Sequence, residues 1–119
     1  EFHHGDCLGA DHEAHDIATE LHLFTVAHPP SDTRLRAFTV ANRIMEPLPY
    51  LERNRNIVRA TDLLIAAPRE MQEEIRSGTW STVRYARSCG RRIWLFFPDG
   101  TYEIEEPNPK PAKTVSHTP

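Results

Sequence analysis

Three short stretches of this chain bring together the residue types that grip a phosphate. Gly5-Asp6-Cys7-Leu8-Gly9-Ala10-Asp11 sets two glycines among acidic residues. Glycine permits tight turns and close approach of the backbone to a ligand. A helix opening there would offer free N–H groups and a positive dipole end to an anion. GxxxG spacing is also common in plain strand–helix turns, with Asp11 as the helix cap. In a ligand site Asp6 would repel phosphate, so its part would be to accept hydrogen bonds from ribose hydroxyls.

Arg76-Ser77-Gly78-Thr79-Trp80-Ser81-Thr82 is the second stretch. Ser77, Gly78 and Thr79 at a helix N-terminus would make a phosphate cradle; the plain alternative is Ser77 as N-cap and Trp80 as core. Glu52-Arg53-Asn54-Arg55 is the third. Arg53 and Asn54 could read a phosphate or a base. Asn54 stands three residues from Leu51 and from Ile57, on the apolar stripe of a helix, where a polar group needs a partner. We expect Arg53 and the Ser77–Thr79 turn to hold one phosphate from opposite sides. Asp6 and Asp11 are the only carboxylates near such a cleft that could serve a hydrolytic reaction.

Histidines cluster at His3, His4, His12 and His15. His12-Glu13-Ala14-His15 has its histidines three apart, whereas the zinc pattern HExxH sets them four apart on one helix face, and no third ligand is evident. These histidines are expected to face solvent from a helix, and no metal site is assigned. Cys7 and Cys89 form no CxxC pair and read as two reduced thiols. There is no Walker A lysine motif and no GxSxG.

Four apolar runs must position these groups: Glu1–His4, Phe24–His28, Leu63–Ala67 and Ile93–Phe97. Leu-Leu-Ile-Ala-Ala and Ile-Trp-Leu-Phe-Phe are continuously apolar, as strands buried on both faces are. Helical periodicity lies between the runs. Ala14, Ile17, Ala18 and Leu21 share one face behind an Asp11 cap. Tyr50–Arg59 places Leu51, Ile57 and Val58 inward. Thr79–Ser88 places Trp80, Val83 and Ala86 inward and ends at Gly90. The long connection Pro29–Pro49 should carry a short helical turn, with Arg36–Ala41 the candidate. Strands alternating with helices predict an α/β fold: a Rossmann-like three-layer sandwich with a mainly parallel sheet. We read residues 1–106 as a single domain and 107–119, rich in proline, as a disordered tail.

Five segments in this order resemble a known family: His4–Asp11, Ala27-His28-Pro29-Pro30, Pro49–Asn54, Leu64-Ile65-Ala66-Ala67-Pro68 and Arg76–Trp80. They look like the SLOG superfamily, which gathers the DNA-processing protein A fold and the LOG proteins. The likeness covers about residues 2–98. It implies a parallel sheet covered by helices, with a nucleotide-type pocket at the C-terminal ends of the strands. LOG enzymes cleave the N-glycosidic bond of cytokinin nucleoside monophosphates using an Arg and a Glu. Arg53 matches the Arg; the Glu has no counterpart, because Thr82, Val83 and Arg84 stand in its place. Relative to the family, the chain starts after the first strand and helix. It also lacks an initiator Met, which fits a fragment or a processed form.

The bulk properties bound the partners. In 119 residues with 39% hydrophobic and 26% charged side chains, a formal net charge of −3 argues against a broad nucleic-acid surface. No apolar run reaches the ~20 residues that span a bilayer, so no membrane partner is expected and a cytoplasmic location is. The leading reading is a protein that binds a nucleotide or sugar-phosphate ligand through Gly5, Asp6, Gly9, Ala10, Asp11, Arg53, Asn54, Ser77, Gly78 and Thr79, with no resident cofactor. Its rivals are a nucleotide N-glycosidase or phosphoribohydrolase, and a homodimer or other oligomeric subunit joined through an exposed sheet edge.

From the histidine spacing, zinc should not copurify at one atom per chain. Elemental analysis checks this. Stoichiometric zinc that is lost on changing His12 or His15 would overturn it.

Overall fold

The structure is a computed structural model, and it describes residues 1–107. The predicted tail falls, beyond Pro107, outside the described residues. The chain divides into two compact units, Glu1–Thr61 and Asp62–Pro119.

The first unit is built on β1 (Phe2–His4), β2 (Thr25–Ala27) and β3 (Arg43–Ile44), which form a wholly parallel sheet in that order. Between β1 and β2 runs α1 (Ala10–Glu20), and after β3 comes α2 (Tyr50–Ala60). β2 is central and buried along its whole length. Asn42 fixes the entry of β3: its Oδ1 accepts from Thr25 N at 2.9 Å and from Thr25 Oγ1 at 3.1 Å. The connection before β3 does hold a short helical turn, but at Thr33–Leu35, where the Asp32 carboxylate accepts from Arg34 N. β3 itself was not predicted, since two residues are too short to show a period.

The α1 stripe is turned from its predicted face. Ile17 and Leu21 are exposed, while His15 and Ala18 are buried. The helix starts behind Gly9, whose φ of 94° suits glycine, and no side chain caps it. Asp11 therefore lies inside the first turn, where its Oδ2 accepts from Cys7 N at 3.2 Å. On α2, too, Leu51 is exposed and the buried residues are Arg53 and Val58. The expected stripe holds at Ala18 and Val58 and fails at Ile17, Leu21 and Leu51, because polar side chains with buried partners, His15 and Arg53, take inward positions beside them.

The second unit contains β4 (Leu63–Ala66), α3 (Gly78–Ser88), β5 (Arg92–Phe96) and β6 (Tyr102–Glu105). β4 and β5 are parallel, as predicted, and β6 adds to β5 antiparallel, so this sheet is mixed. The four predicted strands thus make only parallel pairs with one another, although they are distributed over two sheets. Trp80, Val83 and Ala86 of α3 are buried, matching the periodicity, and Ile93 and Leu95 are their buried counterparts on the sheet. Ser77 is the N-cap: its Oγ accepts from Trp80 N at 3.2 Å. Gly90, with φ 70°, follows Cys89, the C-cap residue of the helix. Burial of both faces of β4 and β5 is not found, since Leu63, Ile65 and Phe96 are exposed.

Losing a hydroxyl N-cap costs about 1 kcal/mol. Ser77→Ala should therefore lower stability by that order, with Ser77→Asp close to the parent. Urea denaturation followed by circular dichroism checks both.

Candidate functional site

The C-terminal ends of β1 and β2 meet over one side chain. Arg53 reaches from α2 with its guanidinium buried, only 3% of the residue being exposed. Its Nη1 donates to Gly5 O, to His28 O at 3.2 Å and to Cys7 Sγ at 3.6 Å. Nε donates to Asn54 Oδ1 at 2.8 Å, and the Tyr50 ring lies 5.0 Å beneath the guanidinium carbon. Asn54 is half-buried, and its partner is the very arginine it was expected to assist.

Gly5 exists for this arrangement. A Cβ placed there would meet Arg53 Nη1 at 2.7 Å and Asp11 Oδ2 at 2.9 Å. The space that glycine leaves is taken by the chain's own groups. The same contacts bring the first turn of α1 and the guanidinium to one place, either side of Gly5. At Gly9, by contrast, a Cβ would meet nothing within 4 Å. Gly9, Ala10 and Asp11 thus present the uncapped start of α1 beside Arg53.

Two features bear on an anion here. Among the described residues no ion pair joins Arg53 to a carboxylate, and its Nη2 carries no hydrogen bond. A buried cation ordinarily needs a counter-charge. Carbonyl oxygens and a ring face solvate this one without neutralising it.

Asp6 does something other than read ribose. Fully buried and at φ 52°, it accepts from Thr39 N at 2.9 Å, Thr39 Oγ1 at 2.7 Å and Arg36 Nε at 3.0 Å. Burial pushes its carboxyl up, but the bonds from Thr39 and Arg36 outweigh that and hold it below its ordinary value. Leu8 N donates to Leu35 O and Ala37 N to Asp6 O, so the Gly5–Asp11 turn is laced to the Leu35–Thr39 segment. Thr39 and Arg36 carried no sequence signal beyond being polar residues in a long connection.

Two histidine pairs were also missed. His4 Nδ1 accepts from Asp6 N at 3.0 Å, so neutral His4 carries its proton on Nε2 and donates to His15 Nδ1 at 3.1 Å. His3 Nδ1 meets His28 Nε2 at 2.8 Å, while His3 Nε2 reaches Glu1 Oε1 at 2.9 Å. The expectation of solvent-facing histidines fails for His4 and His15, which are buried. Strand alternation is the signal that could have found them, since His3 and His4 point to opposite faces of β1. Among the described residues no group of three His, Cys, Asp or Glu side chains is placed to hold a metal.

Ser77, Gly78 and Thr79 lie in the second unit. Ser77 serves α3 as its cap, Thr82 Oγ1 donates to Gly78 O at 3.0 Å, and Thr79 is half-buried. An open cleft of about 370 Å³ lies at the other end of β2, lined by Thr19, His22, Phe24, Thr25, Val40 and Asn42. None of its lining residues is an arginine or lysine, so it offers an anion less than Arg53 does. No described helix is long and apolar enough to cross a membrane. The chain matches no protein family, no curated protein and no solved structure.

Burial, and then the neighbouring His3, His4, Arg53 and Arg43, push His28 from 6.5 down to about 4. Burial likewise lowers His4, against a pull from Asp11. The unfolded chain accepts a proton on His28 below its ordinary value, the folded chain only near 4. Stability is therefore full above pH 6.5 and falls as pH drops towards 4. The loss attributable to His28 is on the order of 3 kcal/mol. Urea titrations at several pH values should show this slope, and His28→Gln should flatten it. An unchanged slope in that variant would exclude His28 as its source.

Proposed function

We propose that the first unit binds the phosphate of a nucleotide or related sugar-phosphate ligand at the C-terminal ends of β1 and β2. The observation that carries this is the buried Arg53 guanidinium, which has no carboxylate partner and an unbonded Nη2 among the described residues. The uncapped first turn of α1 at Gly9-Ala10-Asp11 supports it, because its amides add donors for the same anion. Strand ends are where parallel sheets with covering helices ordinarily bind ligands. The SLOG-like segments His4–Asp11 and Pro49–Asn54 supply the two sides of this site, and a Rossmann-like sandwich is the fold that reading carries with it.

The state of Asp6 argues against it as the acid of a hydrolytic reaction. A general acid must hold its proton near neutral pH. Asp6 is instead held below its ordinary value, with its oxygens committed to Thr39 and Arg36. It orders the loop behind the site and leaves the ligand to Arg53.

A charge-assisted hydrogen bond is worth about 1.5–3 kcal/mol, so Arg53→Ala should weaken binding on the order of ten- to a hundred-fold. Arg53→Lys should recover part of this, keeping the charge and losing the planar fork. Calorimetric titration of adenosine and cytidine monophosphates against the parent and both variants is the test, with circular dichroism confirming the fold. Equal binding by a folded Arg53→Ala removes Arg53 as the reader. A parent that binds neither nucleotide nor a simpler sugar phosphate removes the proposal.

A further inference from the structure

Strand register divides the second sheet into two unlike faces. Leu64, Ala66, Ile93 and Leu95 share the face that α3 covers, and Glu105 at its edge pairs with Arg87 of α3 at 2.8 Å. On the other face Ile65, Trp94 and Ile104 stand in one row across all three strands, with Phe96 beside Tyr102 and with Leu63 at the margin. The Phe96 and Tyr102 rings are 5.9 Å apart. Trp94 is half-buried, and the other five are between 36% and 65% exposed.

We propose that this face is a homodimer interface, covered by the same face of a second copy of the chain. Three observations favour that occupant. The exposed part amounts to roughly 500 Å² of apolar surface, at the upper end of what a monomer leaves open. Pairing two such faces buries about 1,000 Å², the threshold of a specific interface. The charges on this face are also balanced: Arg92 and Glu106, next in the alternation on β5 and β6, bond to each other at 2.8 Å. A two-fold axis sets a surface against itself, so a neutral rim can meet its own image without repulsion. A strongly charged partner would find nothing to answer it. Finally, the apolar runs of β4 and β5 have the composition of strands buried on both faces, and α3 covers one. Two sheets laid face to face about 10 Å apart supply the second cover. Nothing in this inference depends on Arg53.

Sedimentation equilibrium of the whole chain over about 1–100 μM reads the outcome. The parent should be a dimer. Ile65→Glu and Ile104→Glu, both at exposed positions, should raise the dimer dissociation constant at least about a hundred-fold, by setting a charge in the buried row. Val40→Glu, at an exposed position in the first unit, should leave it unchanged. A parent that stays monomeric throughout overturns the proposal, whether another protein or another part of this chain covers the face. Dimerisation that survives both glutamate substitutions overturns it as well, because the interface then lies elsewhere. Should either variant lose its circular dichroism, amide exchange of the parent at high and low concentration decides the matter. Protection of β5 and β6 that is lost on dilution supports the proposal, and protection independent of concentration refutes it.

Discussion

The first unit is organised around a buried positive charge. Arg53 ties α2 to the ends of β1 and β2 by donating to the carbonyls of Gly5 and His28. Those carbonyls lie past the last paired residues of their strands, where sheet hydrogen bonding stops and an acceptor would otherwise need water. One guanidinium nitrogen thus completes two strands. The demand it makes is steric: residue 5 must lack a Cβ, because Arg53 and Asp11 occupy that volume. Asn54 and Tyr50, from the same helix, hold the guanidinium in plane and in place. Truncating Arg53 would leave two carbonyls unanswered, and both are held by Nη1, while Nη2 carries no hydrogen bond among the described residues.

Around that centre the packing is polar to an unusual degree. His4, Asp6, His15, Thr25, His28 and Thr39 are buried along with Arg53. Each is bonded, so each carries directional information that an apolar contact lacks. Asp6 orders the Leu35–Thr39 segment, and the His4–His15 bond docks α1 on β1 where leucine or isoleucine would ordinarily do so. Such a core is exact about geometry and sensitive to protonation, since burial disfavours the charged forms of His4 and His28.

This polar core explains what could be read from the sequence. Runs of Leu, Ile and Phe announce β4 and β5 whatever surrounds them, and β1 and β2 fall within the shorter segments Glu1–His4 and Phe24–His28. In α3 the buried residues are Trp80, Val83 and Ala86, so periodicity read its inward face correctly. In α1 and α2 the inward residues include His15 and Arg53, which any hydropathy pattern assigns to solvent. Arg53 was found as a chemical group and lost as a core residue. Asp6 was marked for its place after β1, but its partners stand 30 and 33 residues away, and pairings at that separation leave no local pattern. β6 did leave one, in the alternation of Tyr102-Glu103-Ile104-Glu105, beside a proline-rich tail that draws attention from it.

The second sheet poses the opposite problem. Its apolar pattern promises more burial than one helix provides. α3 is amphipathic and eleven residues long, which suffices for one face of β4 and β5. β6 then resolves the two faces by composition: its glutamates lie on the side of α3, where Arg87 answers Glu105, and its Tyr102 and Ile104 lie with Ile65, Trp94 and Phe96. An edge strand with no apolar partner on its outer face would be expected to carry polar residues there. That β6 instead continues the apolar row of its neighbours is an argument that the row ends in a contact and not in water. The same strand that closes the helix-covered face with charge extends the other with hydrocarbon, the composition that the proposed contact would bury.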